Sequence, residues 1–180
     1  TPKPAAVRKL LAAGRGTSPS EDEVERVHDD YRRRIVERYR TSPIVREIAG
    51  ATDVLRQLRE AGIRVAFDTG FDRATVEVIL ERLGWDATVV DDTVASDEVA
   101  NGRPSPHMIE VLMARAGVVD PARVAKVGDS VSDVEQGIAA GCGLTVAIRG
   151  RRTEPVLARY PQVVGIDSVA DVPDVLRVTR

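Results

Sequence analysis

The stretch VGDSVSDVEQG, Val127 to Gly137, closes an apolar run, opens a helical pattern, and sets Asp129 and Asp133 four residues apart at the junction. The residues RVAKVGD read as a buried strand, and SDVEQGIAAG reads as a helix that follows almost at once. A strand passing directly into a helix is half of a βα unit, the repeat of a parallel sheet covered by helices. Carboxylates left without a partner at the mouth of such a strand would be costly. One reading pairs them with Mg²⁺, a hard cation held by one or two carboxylates with water and phosphate oxygens. The other makes Ser130 or Ser132 a helix cap and Asp133 a first-turn acid favoured by the helix dipole. Capping accounts for Asp133 and leaves Asp129 without a purpose.

The alternation continues outward from this unit. Upstream, DVLRQLREAG is a helix ended by Gly62, IRVAFDTG a β-branched strand running into a turn, and ATVEVILERLG a helix ended by Gly84. ATVVD, Ala87 to Asp91, reads as a strand and PHMIEVLMARAG as a helix. Downstream come the strands LTVAI and QVVGI and a closing helix, VADVPDVLRV. From Ile44 to the last residue the pattern predicts an α/β domain with a parallel sheet and helices on both faces, with ligands beyond the carboxyl ends of the strands.

Residues 1–43 differ. AAVRKLLAAG has helical spacing at Val7, Leu10 and Leu11. SPSEDEVERVHDDYRRRIVERYRT reads as a longer charged helix opened by a Ser20-to-Glu23 capping box. Val24, Val27, Tyr31, Ile35 and Tyr39 give it one narrow buried stripe, which suits a small helical cap laid over something else. Such a stripe could equally pack on a second copy, so a homodimer through the cap is open to it. The DDYRRR run could steer anions, or it is the solvated face of a charged helix.

Bulk composition narrows the function. With 180 residues and 43% apolar content the chain can bury a sizeable core. Its 26 basic and 28 acidic residues produce no overall field toward nucleic acid or an anionic membrane, so neither is expected as a partner. Cys142, the one cysteine, sits among small apolar residues and reads as a buried thiol. No apolar run is long enough to span a bilayer, and a cytoplasmic setting is the expectation.

Two further candidate sites fall at strand ends. Asp68-Thr69-Gly70 offers a hydroxyl and a glycine amide to an oxyanion, although Thr-Gly also makes an ordinary turn. NGRPSP, Asn101 to Pro106, holds Arg103 in a rigid glycine and proline frame before a helix; paired N–H donors there suit a phosphate, and a solvated loop arginine is the plain alternative.

The order Thr-Gly, Gly-Arg-Pro, Gly-Asp-x-x-x-Asp on successive βα units is more specific than any part. In the segments LREAGIRVAFDTGFDR, NGRPSPHMIEVLMARAGV and VGDSVSDVEQGIAAGC it resembles the haloacid dehalogenase superfamily of phosphatases and phosphonatases. The resemblance implies a Rossmann-like core over 44–180. Thr69 and Gly70 would then hold the transferring phosphoryl group, Arg103 would stabilise its charge, and Asp129 with Asp133 would hold Mg²⁺. Arginine at the third motif, where many members carry lysine, resembles the phosphonoacetaldehyde hydrolases. TPKPAAVRKLL is similar to their cap segment, whose lysine forms a Schiff base with the substrate aldehyde; Lys3 would take that place. Where those enzymes have a histidine three residues later, this chain has Ala6.

The family's nucleophile, an aspartate after the first strand, has no counterpart in the sequence. By resemblance that strand lies centrally, between the strands leading to Thr69 and Asp129. The expectation is therefore that these residues are the C-terminal part of a longer natural chain, with a strand and crossover of roughly 30 residues or more elsewhere. The whole would be a Mg²⁺-dependent hydrolase of a small phosphorylated or phosphonate metabolite, acting through an aspartyl phosphate. A non-catalytic phosphometabolite-binding relative and a phosphomutase are the alternatives.

Overall fold

The computed structural model describes residues 3–178. Helices α1 (Lys3–Arg15) and α2 (Glu21–Thr41) pack on each other, with Arg8 paired to Glu21 and Arg15 to Glu23. Ser20 caps α2 as expected, its hydroxyl accepting from the Glu23 amide at 3.2 Å. The Glu23 carboxylate, assigned from sequence to the other half of a capping box, instead meets Arg15. Ser20→Ala should lower the stability of this helical pair by about 1 kcal/mol, measurable as a shift in urea midpoint.

The rest alternates: α3 (Ala51–Glu60), β1 (Ala66–Asp68), α4 (Arg73–Leu83), β2 (Asp92–Val94), α5 (His107–Ala116), β3 (Ala125–Gly128), α6 (Val131–Ala139), β4 (Leu144–Ile148), α7 (Glu154–Arg159), β5 (Val164–Ile166) and a short α8 (Val172–Val175). Every strand pairing is parallel. β1 pairs with β2, Phe67 opposite Thr93. β3, β4 and β5 follow in order, Val127 opposite Val146 and Ala147 opposite Gly165. Among the described residues no ladder joins β1 to β3, so the strands form two sheets, of two and three strands.

Both faces are covered. Val54, Leu55 and Leu58 of α3 and Val172 of α8 share a core with Val65, Val146 and Ile166, while Val134 of α6 and Val156 of α7 pack with Ala147 and Val163. Val146 and Ala147 are neighbours on β4, and successive strand side chains point to opposite faces.

Two sequence expectations shift. The strand expected over Ala87–Asp91 lies at Asp92–Val94. The Asp86 carboxylate accepts from the Thr88 amide at 2.9 Å and its hydroxyl at 2.6 Å, folding the segment into a turn that lowers Val89 and Val90 into the core as plugs. The α2 stripe is buried only in part: Val24 is 3% exposed, whereas Val27 and Tyr31 are 40% and 41% exposed. At 21 residues α2 is nearly twice the length of the 11-residue α4 beneath it, about 31 Å against 16 Å, so it overhangs. Among the described residues no helix is long and apolar enough to cross a membrane.

Candidate active site

The turn from β3 into α6 is tight because two residues make it. Gly128 ends the strand, and Ser130 caps the helix, its hydroxyl accepting from the Asp133 amide at 3.3 Å. That cap draws Asp133 back over the strand end. A Cβ on Gly128 would lie 2.8 Å from Asp133 Oδ2, so only glycine lets the carboxylate settle there.

Asp133 is the hub of a buried network. Its Oδ1 accepts from Arg103 Nη1 and lies 3.3 Å from Lys126 Nζ, while its Oδ2 accepts from the Ser130 hydroxyl. Lys126, on β3, also donates to both oxygens of Asp68 at the end of β1, at 2.8 and 2.7 Å. Two aspartates balance a lysine and an arginine, and such pairing is what makes buried charge tolerable. Burial alone would raise the Asp133 carboxyl pKa, but Lys126, the Ser130 hydroxyl and Arg103 outweigh it and hold the group below the usual carboxylate range. Cys142 goes the other way: burial pushes its thiol up, which disfavours the nucleophilic thiolate.

Arg103 is thereby aimed at the end of β1. A Cβ on Gly70 would come within 3.3 Å of its Nη2. Thr69 is fixed beside it, its amide donating to Val94 O at 3.1 Å and its hydroxyl accepting from the Phe71 amide at 3.1 Å. The structure thus brings Gly70, Arg103 and Asp133 into one cluster, with Thr69 adjoining. A guanidinium, a hydroxyl and backbone amides together can bind and stabilise an oxyanion such as a phosphoryl group.

Asp129 has a different partner. Its side chain is 68% exposed, with Arg152 Nη1 3.8 Å from Oδ2. Its hard carboxylate oxygens fit one position of a Mg²⁺ shell. Asp133's oxygens are already shared among Ser130, Arg103 and Lys126, and among the described residues no group of three or more His, Cys, Asp or Glu converges on one point. Lys3 opens α1, and its side chain lies outside the described residues. Sequence reasoning passed over Asp68 and Lys126. The available signal was a lysine inside an otherwise apolar strand, where an unpaired charge would not survive.

Comparison with known proteins identifies the family. Residues 5–141 match the haloacid dehalogenase-like hydrolase family. The chain is 28% identical to the phosphonoacetaldehyde hydrolase of Bordetella pertussis, over 96% of this chain and 70% of that enzyme. It is 31% identical to the phosphonoacetaldehyde hydrolase of Bacillus cereus, over 86% of this chain and 57% of that enzyme. The fold is shared with a phosphonoacetaldehyde hydrolase like protein from Oleispira antarctica, with a TM-score of 0.75 at 22% identity over 96% of this chain and 70% of the other. With the motif order, the parallel strands and a family match that runs from α1 through α6, the chain belongs to the haloacid dehalogenase-like hydrolases.

Proposed function

We propose that the natural protein containing this chain is a Mg²⁺-dependent hydrolase that removes a phosphoryl group from a small phosphorylated or phosphonate metabolite. The observation that carries the reading is Arg103, locked by Asp133 against Gly70 at the end of the strand that leads to Thr69. Arg103 and the Thr69–Gly70 turn would bind the phosphoryl oxygens and stabilise the charge that develops on them during transfer. Asp129 would be the donor with room for Mg²⁺, and the ion would supply charge neutralisation for the phosphate and nucleophile. Asp133 would serve that site while holding Arg103.

The attacking aspartate is assigned to a further strand seated between β1 and β3. Each of those strands pairs on one side only among the described residues. Gln136, on α6 one turn beyond Asp133, is consistent with a missing segment nearby: it is fully buried, yet among the described residues neither its amide oxygen nor its amide nitrogen has a partner. Buried amides are normally satisfied, and an inserted segment would bring partners. The aspartyl phosphate formed there would be cleaved by water. The helical pair α1–α2 would be the cap that selects substrate, and its exposed Leu10, Val27 and Tyr31 the face that a second copy would cover.

The test is phosphate release by the full natural chain from phosphonoacetaldehyde and from a panel of small phosphate esters, with Mg²⁺, with EDTA, and with borohydride trapping. Release that EDTA abolishes is the expected result. A borohydride adduct on Lys3 would place the substrate among aldehydes, and ester hydrolysis without an adduct would make it a phosphate ester. Phosphate binding without turnover would overturn the hydrolase reading in favour of a binding protein.

A further inference from the structure

We infer that Arg32, on α2, is a positioning residue for the Thr69–Asp72 loop, so that the helical pair sets the geometry of the phosphate site it does not itself touch. This deepens the proposed function, because it rests on the loop being where phosphate binds. Arg32 Nε donates to Asp72 Oδ2 at 2.8 Å. Asp72 is 7% exposed, and its other oxygen accepts from the Thr75 amide at 2.9 Å and hydroxyl at 2.7 Å, which caps α4. One oxygen suffices for a cap; the second is committed to α2. Burial alone would raise this carboxyl pKa, yet the Thr75 bonds and Arg32 hold it lower, which keeps the Asp72 carboxylate ionised at neutral pH.

Two turns along the same helix, Tyr39 meets Phe71 edge to face, ring centroids 5.5 Å apart at 78°. One face of α2 therefore bears on two consecutive loop residues. From behind, the strand β2 side holds the same loop: Phe71 O accepts from the Ser96 amide at 2.8 Å and its hydroxyl at 3.1 Å. The Phe71 amide in turn donates to the Thr69 hydroxyl, so the position of Phe71 decides where that hydroxyl points. The arginine run that composition alone offered as an anion lure divides accordingly. Arg33 and Arg34 pair with Asp30 on their own helix at 3.3 and 2.6 Å, and Arg32 reaches the core.

Amide hydrogen exchange and a titration with inorganic phosphate, both on the full natural chain, test this with Arg32→Gln, Arg32→Lys and Tyr39→Leu. Arg32→Gln should speed exchange at Phe71 to Thr75 by about tenfold, the worth of one charge-assisted hydrogen bond, while amides of α6 keep their rates. Phosphate affinity should fall several-fold with it, and Arg32→Lys should recover part of both. A uniform rise in exchange would make Arg32 merely structural and overturn the inference, as would a loosened loop with unchanged phosphate affinity. If the unaltered chain bound no phosphate, the phosphate-site reading would fall, and local exchange would still decide whether Arg32 holds the loop.

Discussion

Asp133→Ala is expected to cost about 3–5 kcal/mol of folding stability, because it removes one partner from a buried charge network and leaves the others in place. Lys126 and Asp133 have side chains only 10% and 6% exposed, so water cannot take over the role of the lost carboxylate. Lys126 would keep Asp68, but Arg103 would keep no carboxylate that the structure gives it, and the Ser130 hydroxyl would lose its carboxylate acceptor and keep only Ser132. Small domains have only about 5–15 kcal/mol to lose, so a urea melt should show the midpoint falling by a large fraction. Asp133→Asn keeps the shape and the acceptor for Ser130 while discarding the charge, and should fall between alanine and the unaltered chain. The reference is Arg33→Ala, which breaks an exposed pair on α2 and should change stability by less than about 0.5 kcal/mol. Were Asp133→Ala as mild as that, the network would be an incidental contact and the aim of Arg103 would need another cause. Phosphate affinity should fall with Asp133→Ala as well, since a guanidinium released from Asp133 is no longer pinned against Gly70.

The difference between what was legible in the sequence and what was not follows the range of the interactions. The βα unit at Val127–Gly137 was legible because apolar periodicity, a serine cap and a first-turn acid are all local, and Ser130 does cap α6. The expected strand at Ala87–Asp91 failed on a local rule that outranked β-propensity: Asp86 folds Thr88 into a turn, and pairing with β1 begins only at Asp92. Glu23 was assigned to its own helix terminus when α1 offered Arg15, a choice made by packing between helices. The deepest misses, Lys126 with Asp68 and Arg32 with Asp72, join residues 58 and 40 positions apart. Spacing carries no information at that range. What remains visible is the oddity of a charge in a core strand, which says that a partner exists without saying which.

Gly128→Ala is the second large effect, and it turns on a distance. A methyl carbon on residue 128 would sit 2.5 Å from Asp133 Cγ and 2.8 Å from its Oδ2, closer than non-bonded carbon and oxygen atoms approach. The chain has no slack to relieve this, because only Asp129 and Ser130 separate the end of β3 from the start of α6. Nor can the helix slide along the sheet: Gly137, further along α6, is pinched in the same way, and a Cβ there would lie 2.8 Å from the Thr145 hydroxyl and 2.9 Å from Lys126 Cβ. The N-terminus of α6 must tilt outward, and Asp133 leaves Arg103 as it goes. Overpacking of this kind costs about 1–3 kcal/mol, and the upper end is expected because the displaced side chain is a buried charge. Gly150→Ala is the matched control, since a Cβ there meets nothing within 4 Å and the change should stay within about 0.5 kcal/mol. Equal urea midpoints for the two variants would mean that α6 does not approach β3 this closely. Separation of the midpoints, with phosphate affinity lost only in Gly128→Ala, would show that the glycine before Asp129 is there to let the second aspartate of the pair reach the arginine.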